Sequence, residues 1–153
     1  IQKHVLVEKI ISYYGNDLSG KKVALWGLAF KPNTDDIREA PALYIIEDLL
    51  NAGAEIVAYD PEGMPNVQQY FSDLPADKKS KLNFADNYYK AAEGADFLAI
   101  LTEWTEFRTP DFAKIKASLK EPIIFDGRNL YDLEDMKNAG FYYNSIGRKT
   151  ITI

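Results

Sequence analysis

The sequence predicts an α/β fold, namely a three-layer, Rossmann-like, doubly wound parallel sheet that is preceded by a linker helix. Apolar segments typical of buried strands alternate with amphipathic helical segments about every 25–30 residues, the pattern of βαβ units. The chain has 153 residues, 46% of them hydrophobic, which is enough for one full core. We expect residues 1–18 to end a central or linker helix and residues 19–153 to form one domain.

The strand segments are short apolar runs that end at turn-forming residues. Asp60-Pro61 ends the second of these runs, and Asp126-Gly127-Arg128 ends the fifth. Lys81 begins the third run, which we predict to be a short strand at the edge of the sheet. We predict strands at residues 22–26, 55–59, 81–84, 96–101, 123–125 and 141–143.

The helix segments carry apolar side chains three or four residues apart. In residues 43–51, for example, Leu43, Ile46, Leu49 and Leu50 fall on one face. Glycines follow several segments and supply the positive φ with which many helices end. We predict helices at residues 1–14, 43–51, 64–71, 88–93, 111–119 and 133–138, and a less regular polar stretch at residues 72–80.

Composition excludes several partners. The formal charge is −5, so the chain lacks the basic surface that non-specific binding to nucleic acid requires. No apolar run approaches the roughly 20 residues that span a bilayer, so we expect no membrane partner. The first residues show neither an initiating methionine nor a signal-peptide pattern, which predicts a piece of a longer protein.

Residues that carry catalytic chemistry are scarce. The sequence has no cysteine, which excludes disulfides, thiolate metal ligands and a cysteine nucleophile within it, and which fits a reducing compartment. The single histidine, His4, lies on the predicted first helix, where a packing or surface role is favoured. Asp35 and Asp36 are better explained by helix capping and local pairing than by a metal, so no metal site is expected.

The most informative segment is the loop of residues 27–39, called the Gly27 loop below. In an open α/β sheet it lies at the carboxyl edge, where ligands bind at the reversal of strand order. It contains one glycine, whereas a dinucleotide fingerprint needs three, and it therefore argues against NAD bound here. Asp60, which ends the second strand, either grips a ribose or, as we favour, is a turn residue before Pro61.

Lys31 is the candidate anion-binding residue of the Gly27 loop. Lysine is a compact cation with three donors, which suits a phosphate. Asp36 and Glu39 are spaced as a capping box, although Pro41 leaves the exact start of the helix open. A helix N-terminus beside a lysine would reinforce anion binding. Arg38 either pairs locally with Asp35 or Asp36 or has a functional role, and the sequence leaves both open.

Two further turns follow strands at the same predicted edge. Asp126-Gly127-Arg128 brings a guanidinium there, which can hold a phosphate with two hydrogen bonds. The alternative for Arg128 is an ion pair with Asp126 or Asp132. Thr102-Glu103-Trp104 follows the fourth strand, and Trp104 is either a packing residue or a wall of a pocket.

With these motifs in this order, the chain resembles the C-terminal domain of the UDP-glucose/GDP-mannose dehydrogenase family. The resemblance rests on residues 29–39 and on the turns after the fourth and fifth strands, and it extends from the first helix through residues 145–148. It implies that residues 19–153 bind the nucleotide part of a sugar nucleotide. It also implies that NAD is bound mainly by a separate N-terminal domain, and that a catalytic cysteine lies in a central helical region.

The resemblance is strongest to the branch that oxidises UDP-glucose. It implies two successive NAD-dependent oxidations of the sugar C6 alcohol, the second through a cysteine thioester, which yield UDP-glucuronate. Because the cysteine and the NAD domain are absent here, we expect the chain alone to be inactive. Two alternatives stay open: the same domain of a GDP-mannose or UDP-N-acetylhexosamine 6-dehydrogenase, and a stand-alone module that binds nucleotide sugars.

The resemblance also assigns roles to single residues. Phe30, Lys31 and Arg128 are implied to contact the sugar nucleotide. Arg38 is implied to lie near the cofactor, and Trp104 to line or support the cleft. No catalytic residue is expected within this chain.

The resemblance further implies an assembly and a location. The full-length protein is expected to be a homodimer or larger, in the cytoplasm, with its main contacts in the central region. We therefore expect apolar side chains of the first helix, such as Val5, Leu6 and Ile10, to be partly exposed in this chain and able to drive association.

Overall fold

One six-stranded parallel sheet organises the computed structural model, which describes residues 5–153. The strands are β1 (Lys22–Trp26), β2 (Glu55–Tyr59), β3 (Leu82–Phe84), β4 (Phe97–Ile100), β5 (Ile123–Asp126) and β6 (Tyr142–Asn144). Their order across the sheet is β3-β2-β1-β4-β5-β6, and every neighbouring pair is parallel. This is the doubly wound order of a Rossmann-like fold, and it confirms the predicted fold class.

Helices flank the sheet. They are α1 (Val5–Tyr14), α2 (Pro41–Asn51), α3 (Met64–Tyr70), α4 (Ala76–Lys79), α5 (Tyr88–Ala92), α6 (Phe112–Ser118) and α7 (Leu133–Ala139), with a 3₁₀ turn at Thr105–Phe107. The predicted helices and strands are all present with small shifts in their bounds, and α4 lies in the stretch expected to be less regular. Residues 1–4, including His4, lie outside the described residues. Within residues 5–153 no helix is long and apolar enough to cross a membrane.

Each face of the sheet carries its own hydrophobic core, because alternate side chains of a strand point to opposite faces. On one face Val23 and Leu25 of β1 pack with α1, α2 and α3. On the other face Ala24 and Trp26 pack with α5, α6 and α7. Since both faces are covered, the central strands are continuous apolar runs, which is why the sequence identified them.

Helix α1 packs closely onto the rest of the chain. Leu6 and Ile10 are buried and belong to the same core cluster as α2, while Val5 is half-buried. The Lys9 Nζ atom donates a hydrogen bond to Asn144 Oδ1 at 3.1 Å, which ties α1 to the last strand. The expectation that Leu6 and Ile10 are partly exposed is therefore wrong, because α2 and β5 cover this face of the helix. The division of the chain into linker and domain stays a prediction.

Helix α2 begins after the residues that suggested a capping box. It starts at Pro41, and Ala40 is its N-cap with extended backbone and no side-chain hydrogen bond. Proline suits the first helical position because its missing N–H needs no partner there. Asp36 instead accepts a hydrogen bond from the backbone N–H of Arg38 at 3.0 Å, and Glu39 adopts a φ of 60°. The predicted capping box is therefore wrong, since the helix begins beyond both of its members.

Candidate functional site

The strand order reverses between β1 and β4, so the crevice of this fold lies where these two strands end. The Gly27 loop leaves β1 at this point, and Thr102 follows the end of β4. Gly27 has a φ of +99°, and a Cβ atom placed on it would lie 2.6 Å from the Cβ atom of Thr102. Thr102 Oγ1 donates a hydrogen bond to the carbonyl oxygen of Ala29 at 3.0 Å. Glycine therefore permits the close contact that joins the two loops.

A cavity of about 410 Å³ opens at this edge of the sheet. Phe30 of the Gly27 loop and Arg128 of the turn after β5 both line it. Its other lining residues, mostly apolar, are Val5, Leu6, Glu39, Pro41, Ile45, Leu101, Gly127 and Ile146. A largely apolar cavity with a few polar groups is typical of small-molecule sites. The structure thus brings together two of the residues that the sequence assigned to one ligand.

Lys31 lies next to Phe30 on the exposed surface of the Gly27 loop, outside the set of residues that line the cavity. The positive charge of Lys31 affects the carboxyl group of Asp36 in the same loop. The hydrogen bond from the Arg38 side chain lowers the pKa of Asp36 to about 2, and the Lys31 ammonium acts in the same direction. Lys31 is therefore an exposed cation beside the cavity, and its contact with a ligand stays a prediction.

Arg38 forms the local ion pair that was one of its two interpretations. Its Nε and Nη2 atoms donate to the two carboxylate oxygens of Asp36, each at 3.0 Å. Arg38 and Asp36 also line a second, more open groove of about 900 Å³, together with Tyr44, Gln69 and Tyr70. The pairing with Asp36 is confirmed, whereas a role of Arg38 near a cofactor stays a prediction.

Arg128 pairs with Glu103 and not with Asp126 or Asp132, the two acids that the sequence suggested. The Arg128 Nη2 atom lies 2.5 Å from Glu103 Oε2. Burial is the largest single influence on the pKa of Glu103 and acts to raise it. The hydrogen bond from Arg128, a backbone hydrogen bond and the charges of Arg128 and Arg108 together outweigh burial, so this pKa lies below its usual range. The ion pair joins the turn after β4 to the turn after β5. It therefore fixes the guanidinium at the cavity.

Asp126 is fully buried beneath Arg128. Its Oδ1 accepts the backbone N–H of Arg128 at 2.8 Å, and its Oδ2 accepts the N–H of Leu130 at 2.8 Å and the hydroxyl of Tyr143 at 2.6 Å. Arg148 donates in turn to the Tyr143 hydroxyl at 2.9 Å. Burial raises the pKa of Asp126. This network could not be predicted from the sequence, because Tyr143 and Arg148 come from β6 and the segment after it.

We expect Tyr143→Phe to lower the free energy of unfolding by about 1–3 kcal/mol at pH 7, because it removes a donor to a buried carboxylate. An acid whose pKa is raised by folding loses stabilisation as pH rises from its unfolded to its folded pKa. Loss of the Tyr143 hydroxyl raises the pKa of Asp126 further. The difference between variant and wild type should therefore grow as pH rises from about 3 to 7. Urea denaturation across this range measures it.

The exposed Tyr70 provides the control for this experiment, because Tyr70→Phe removes a hydroxyl from the surface. Its effect should stay within about 0.5 kcal/mol at every pH. A Tyr143→Phe effect that is independent of pH would show that the hydroxyl does not stabilise the charged form of Asp126.

Asp60 is a second fully buried acid at the carboxyl edge. Its two oxygens accept hydrogen bonds at 2.6–3.1 Å from the backbone N–H groups of Leu28, Ala29, Glu62 and Gly63 and from the indole N–H of Trp104. The interpretation of Asp60 as a turn residue is confirmed. The alternative, a grip on a ribose, is wrong because both oxygens face these donors inside the protein.

Trp104 lies beneath the edge of the sheet. It is 7% exposed and belongs to the core cluster that contains Trp26 and Phe107. Its indole Nε1 donates to Asp60 Oδ2 at 3.1 Å. Of the two roles expected for Trp104, to line the cleft or to support it, this placement favours support.

A family model described as the UDP binding domain of the UDP-glucose/GDP-mannose dehydrogenase family matches residues 24–133. The chain belongs to this family. The matched range contains the Gly27 loop, Asp60, Trp104 and Arg128, and it ends before Tyr143. The resemblance that the sequence motifs suggested is therefore confirmed.

Curated members of the UDP-glucose/GDP-mannose dehydrogenase family extend the match to nearly the whole chain. A UDP-glucose 6-dehydrogenase of Pseudomonas aeruginosa is 45% identical over 96% of this chain. UDP-glucose 6-dehydrogenase TuaD of Bacillus subtilis is 39% identical over 98% of it. The chain spans about a third of the length of these relatives, 32% and 31% respectively.

Solved structures from this family have the same fold. A UDP-glucose dehydrogenase from Pyrobaculum islandicum superimposes with a TM-score of 0.72 at 24% identity, over 93% of this chain and 28% of its own. A UDP-D-ManNAc dehydrogenase from Pyrococcus horikoshii gives a TM-score of 0.65 at 26% identity, over 95% of this chain and 30% of its own. The first of these likenesses supports the fold alone.

Proposed function

We propose that this chain is the part of an NAD-dependent UDP-glucose 6-dehydrogenase that binds the nucleotide sugar. The observation that carries the proposal is the cavity at the carboxyl edge, which Phe30 and Arg128 line together. The family match and the name of the 45% identical relative support the choice of substrate.

The proposed ligand fits the chemistry of this cavity. The Arg128 guanidinium can hold the diphosphate with charge-assisted hydrogen bonds, and Glu103 keeps it in place until the ligand arrives. The Phe30 ring is 51% exposed and can pack against an apolar face of the ligand. Lys31 adds a second cation beside the cavity.

NAD does not fit the residues at this edge. The Gly27 loop has one glycine where a dinucleotide needs a glycine-rich turn, and Asp60 is fully buried with both oxygens bonded to N–H groups of the chain. In the proposed enzyme NAD is therefore held mainly by an N-terminal domain. This chain binds and orients the sugar nucleotide at the carboxyl-edge cavity. Closure of the cleft around the sugar nucleotide excludes water.

The proposed reaction converts UDP-glucose to UDP-glucuronate in two successive oxidations. The sequence has no cysteine to carry the acyl intermediate, so the chain alone should be inactive. We place the full-length enzyme in the cytoplasm as a homodimer or larger assembly. Arg38 is assigned to the boundary with the cofactor domain.

Calorimetric titration of the chain with UDP, UDP-glucose, GDP and NAD tests this proposal. We expect the uridine ligands to bind, and GDP and NAD not to. Binding of NAD in the absence of uridine binding would overturn the assignment. GDP binding would favour the GDP-mannose alternative. A UDP-N-acetylhexosamine is titrated as a fifth ligand, because one solved relative is named as a UDP-D-ManNAc dehydrogenase. Tighter binding of this ligand than of UDP-glucose would favour the N-acetylhexosamine alternative.

We expect Lys31→Ala to weaken UDP binding by about 1.5–3 kcal/mol, which is roughly tenfold to a hundredfold, because a charge-assisted contact is lost. The same titration measures the effect. Lys81→Ala is the matched control, because Lys81 is also exposed but precedes β3 at the opposite edge of the sheet. Equal affinities of the Lys31→Ala and wild-type chains would refute the role of Lys31.

A further inference from the structure

We propose that Asp60 is a positioning residue for the ligand, because it holds the backbone directly before Phe30 and Lys31. We propose also that its inward orientation prevents a dinucleotide from binding at this edge. The first part rests on the proposed function for the identity of the ligand. The second part rests on the contacts of Asp60 alone.

The five donors to Asp60 come from three segments that leave the sheet at the same edge. Leu28 and Ala29 follow β1, and their N–H groups lie 2.6 Å and 3.0 Å from Oδ2. Two consecutive peptide groups are fixed in this way, so the direction in which Phe30 leaves the loop is set. The N–H of Phe30 in turn donates to the carbonyl oxygen of Asp36 at 2.8 Å, which closes the loop.

The other donors anchor the carboxylate itself. Glu62 and Gly63 follow β2 and donate to Oδ1 at 2.8 Å and 2.6 Å, and Trp104 follows β4 and donates to Oδ2. Because every one of these partners is a donor, both terminal atoms of the side chain at position 60 must be acceptors. A carboxylate meets this requirement, whereas an asparagine amide has a single acceptor oxygen. Asparagine would turn its NH₂ group towards N–H donors.

The same contacts leave no acceptor on Asp60 for the ribose of a dinucleotide. In dinucleotide-binding folds an acid near the end of the second strand accepts hydrogen bonds from a ribose. Asp60 occupies the corresponding end of β2 but is 0% exposed, with both oxygens already bonded. The ribose would find no acceptor from this residue. The cavity therefore favours a ligand that is held by Arg128 and not by Asp60.

Asp60→Asn in the 153-residue chain tests the proposal by NMR hydrogen exchange and by titration with UDP. We expect the Leu28 and Ala29 amides and the Trp104 indole N–H to exchange at least about tenfold faster, and the Kd for UDP to rise at least about tenfold. The Trp26 indole N–H, which donates to the Tyr88 carbonyl oxygen at 2.9 Å, should keep its protection and so reports that the fold is intact.

Asp96→Asn is the matched control. Asp96 also accepts a backbone N–H, that of Lys22 at 2.8 Å, but at the opposite end of the strands. It should leave the Kd for UDP unchanged. Faster exchange in Asp60→Asn with an unchanged Kd for UDP would overturn the positioning role.

Two further outcomes separate this proposal from the proposed function. If the wild-type chain does not bind UDP, the proposed function fails, while the exchange of the Leu28 and Ala29 amides still decides whether Asp60 holds the loop. If Asp60→Asn does not fold, amide exchange in the wild-type chain tests the proposal instead. The proposal would be overturned if the Leu28 and Ala29 amides exchanged as fast as the amide of the exposed Lys31. NAD that binds and shifts the Leu28 and Ala29 signals would overturn the exclusion of dinucleotides.

Discussion

Gly27→Ala is expected to lower the free energy of unfolding by about 2–5 kcal/mol, because it combines backbone strain with a steric clash. Gly27 has a φ of +99°, where side chains are rarely tolerated, and the new Cβ atom would lie 2.6 Å from Thr102 Cβ and 2.7 Å from its backbone nitrogen. Thr102 lies two residues after the end of the central strand β4 and is buried, so it cannot easily move away. Urea denaturation followed by circular dichroism measures the change.

Gly15→Ala separates the two causes. Gly15 has nearly the same φ, +95°, but nothing lies within 4 Å of the position that a Cβ atom would take. Gly15→Ala should therefore lower the free energy of unfolding by the backbone strain alone, about 1–2 kcal/mol. Equal losses at the two positions would show that the contact with Thr102 contributes nothing. A Gly27→Ala chain that remains folded should also bind UDP more weakly, because the loop that carries Phe30 must shift.

The central part of the fold could be predicted from the sequence because its signals are local. Strand β4, at Phe97–Ile100, is buried on both faces and is therefore an unbroken apolar run. The start of α2 was predicted less well. Asp36 and Glu39 match a capping box, but the choice between that box and a start at Pro41 depends on how the loop packs, which the local pattern does not contain.

The partner of Arg128 could have been found from the topology. Ile100 of β4 lies opposite Asp126 of β5 in the register of the sheet. Glu103 and Arg128 lie in the turns that follow these two residues, so they leave neighbouring strands at one edge although they are 25 residues apart in sequence. Once the sequence predicts two adjacent parallel strands, charged residues just beyond their ends are candidate partners.

The buried acids needed the three-dimensional structure. Asp60-Pro61 is a sufficient turn signal, and nothing in the sequence shows that the Asp60 oxygens accept N–H groups from the segments after β1, β2 and β4. Asp126 likewise depends on Tyr143, which β6 brings beside it. Such groups are invisible to a local pattern because their partners are set by how the strands pair.

Trp26→Ala is expected to lower the free energy of unfolding by about 3–5 kcal/mol, because it removes a large side chain from a closed core. Trp26 is fully buried, stacks on Phe107 with ring centroids 5.1 Å apart, and donates its indole N–H to the Tyr88 carbonyl oxygen. The free energy of unfolding of a typical domain is only about 5–15 kcal/mol, so this single change should leave the chain marginally stable. Urea denaturation followed by circular dichroism measures it without relying on tryptophan fluorescence.

Trp26→Phe separates the packing of the ring from its hydrogen bond, and Tyr70→Ala is the control at an exposed ring. Trp26→Phe keeps an aromatic ring against Phe107 but loses the hydrogen bond to Tyr88, so it should cost clearly less than the alanine variant. Tyr70→Ala removes an aromatic ring that is 56% exposed, and we expect a loss of at most about 0.5 kcal/mol. If Trp26→Ala cost no more than Tyr70→Ala, the core on this face of the sheet would not depend on Trp26. A large loss would instead show that the core from which the Gly27 loop starts depends on Trp26, since Gly27 follows Trp26 directly.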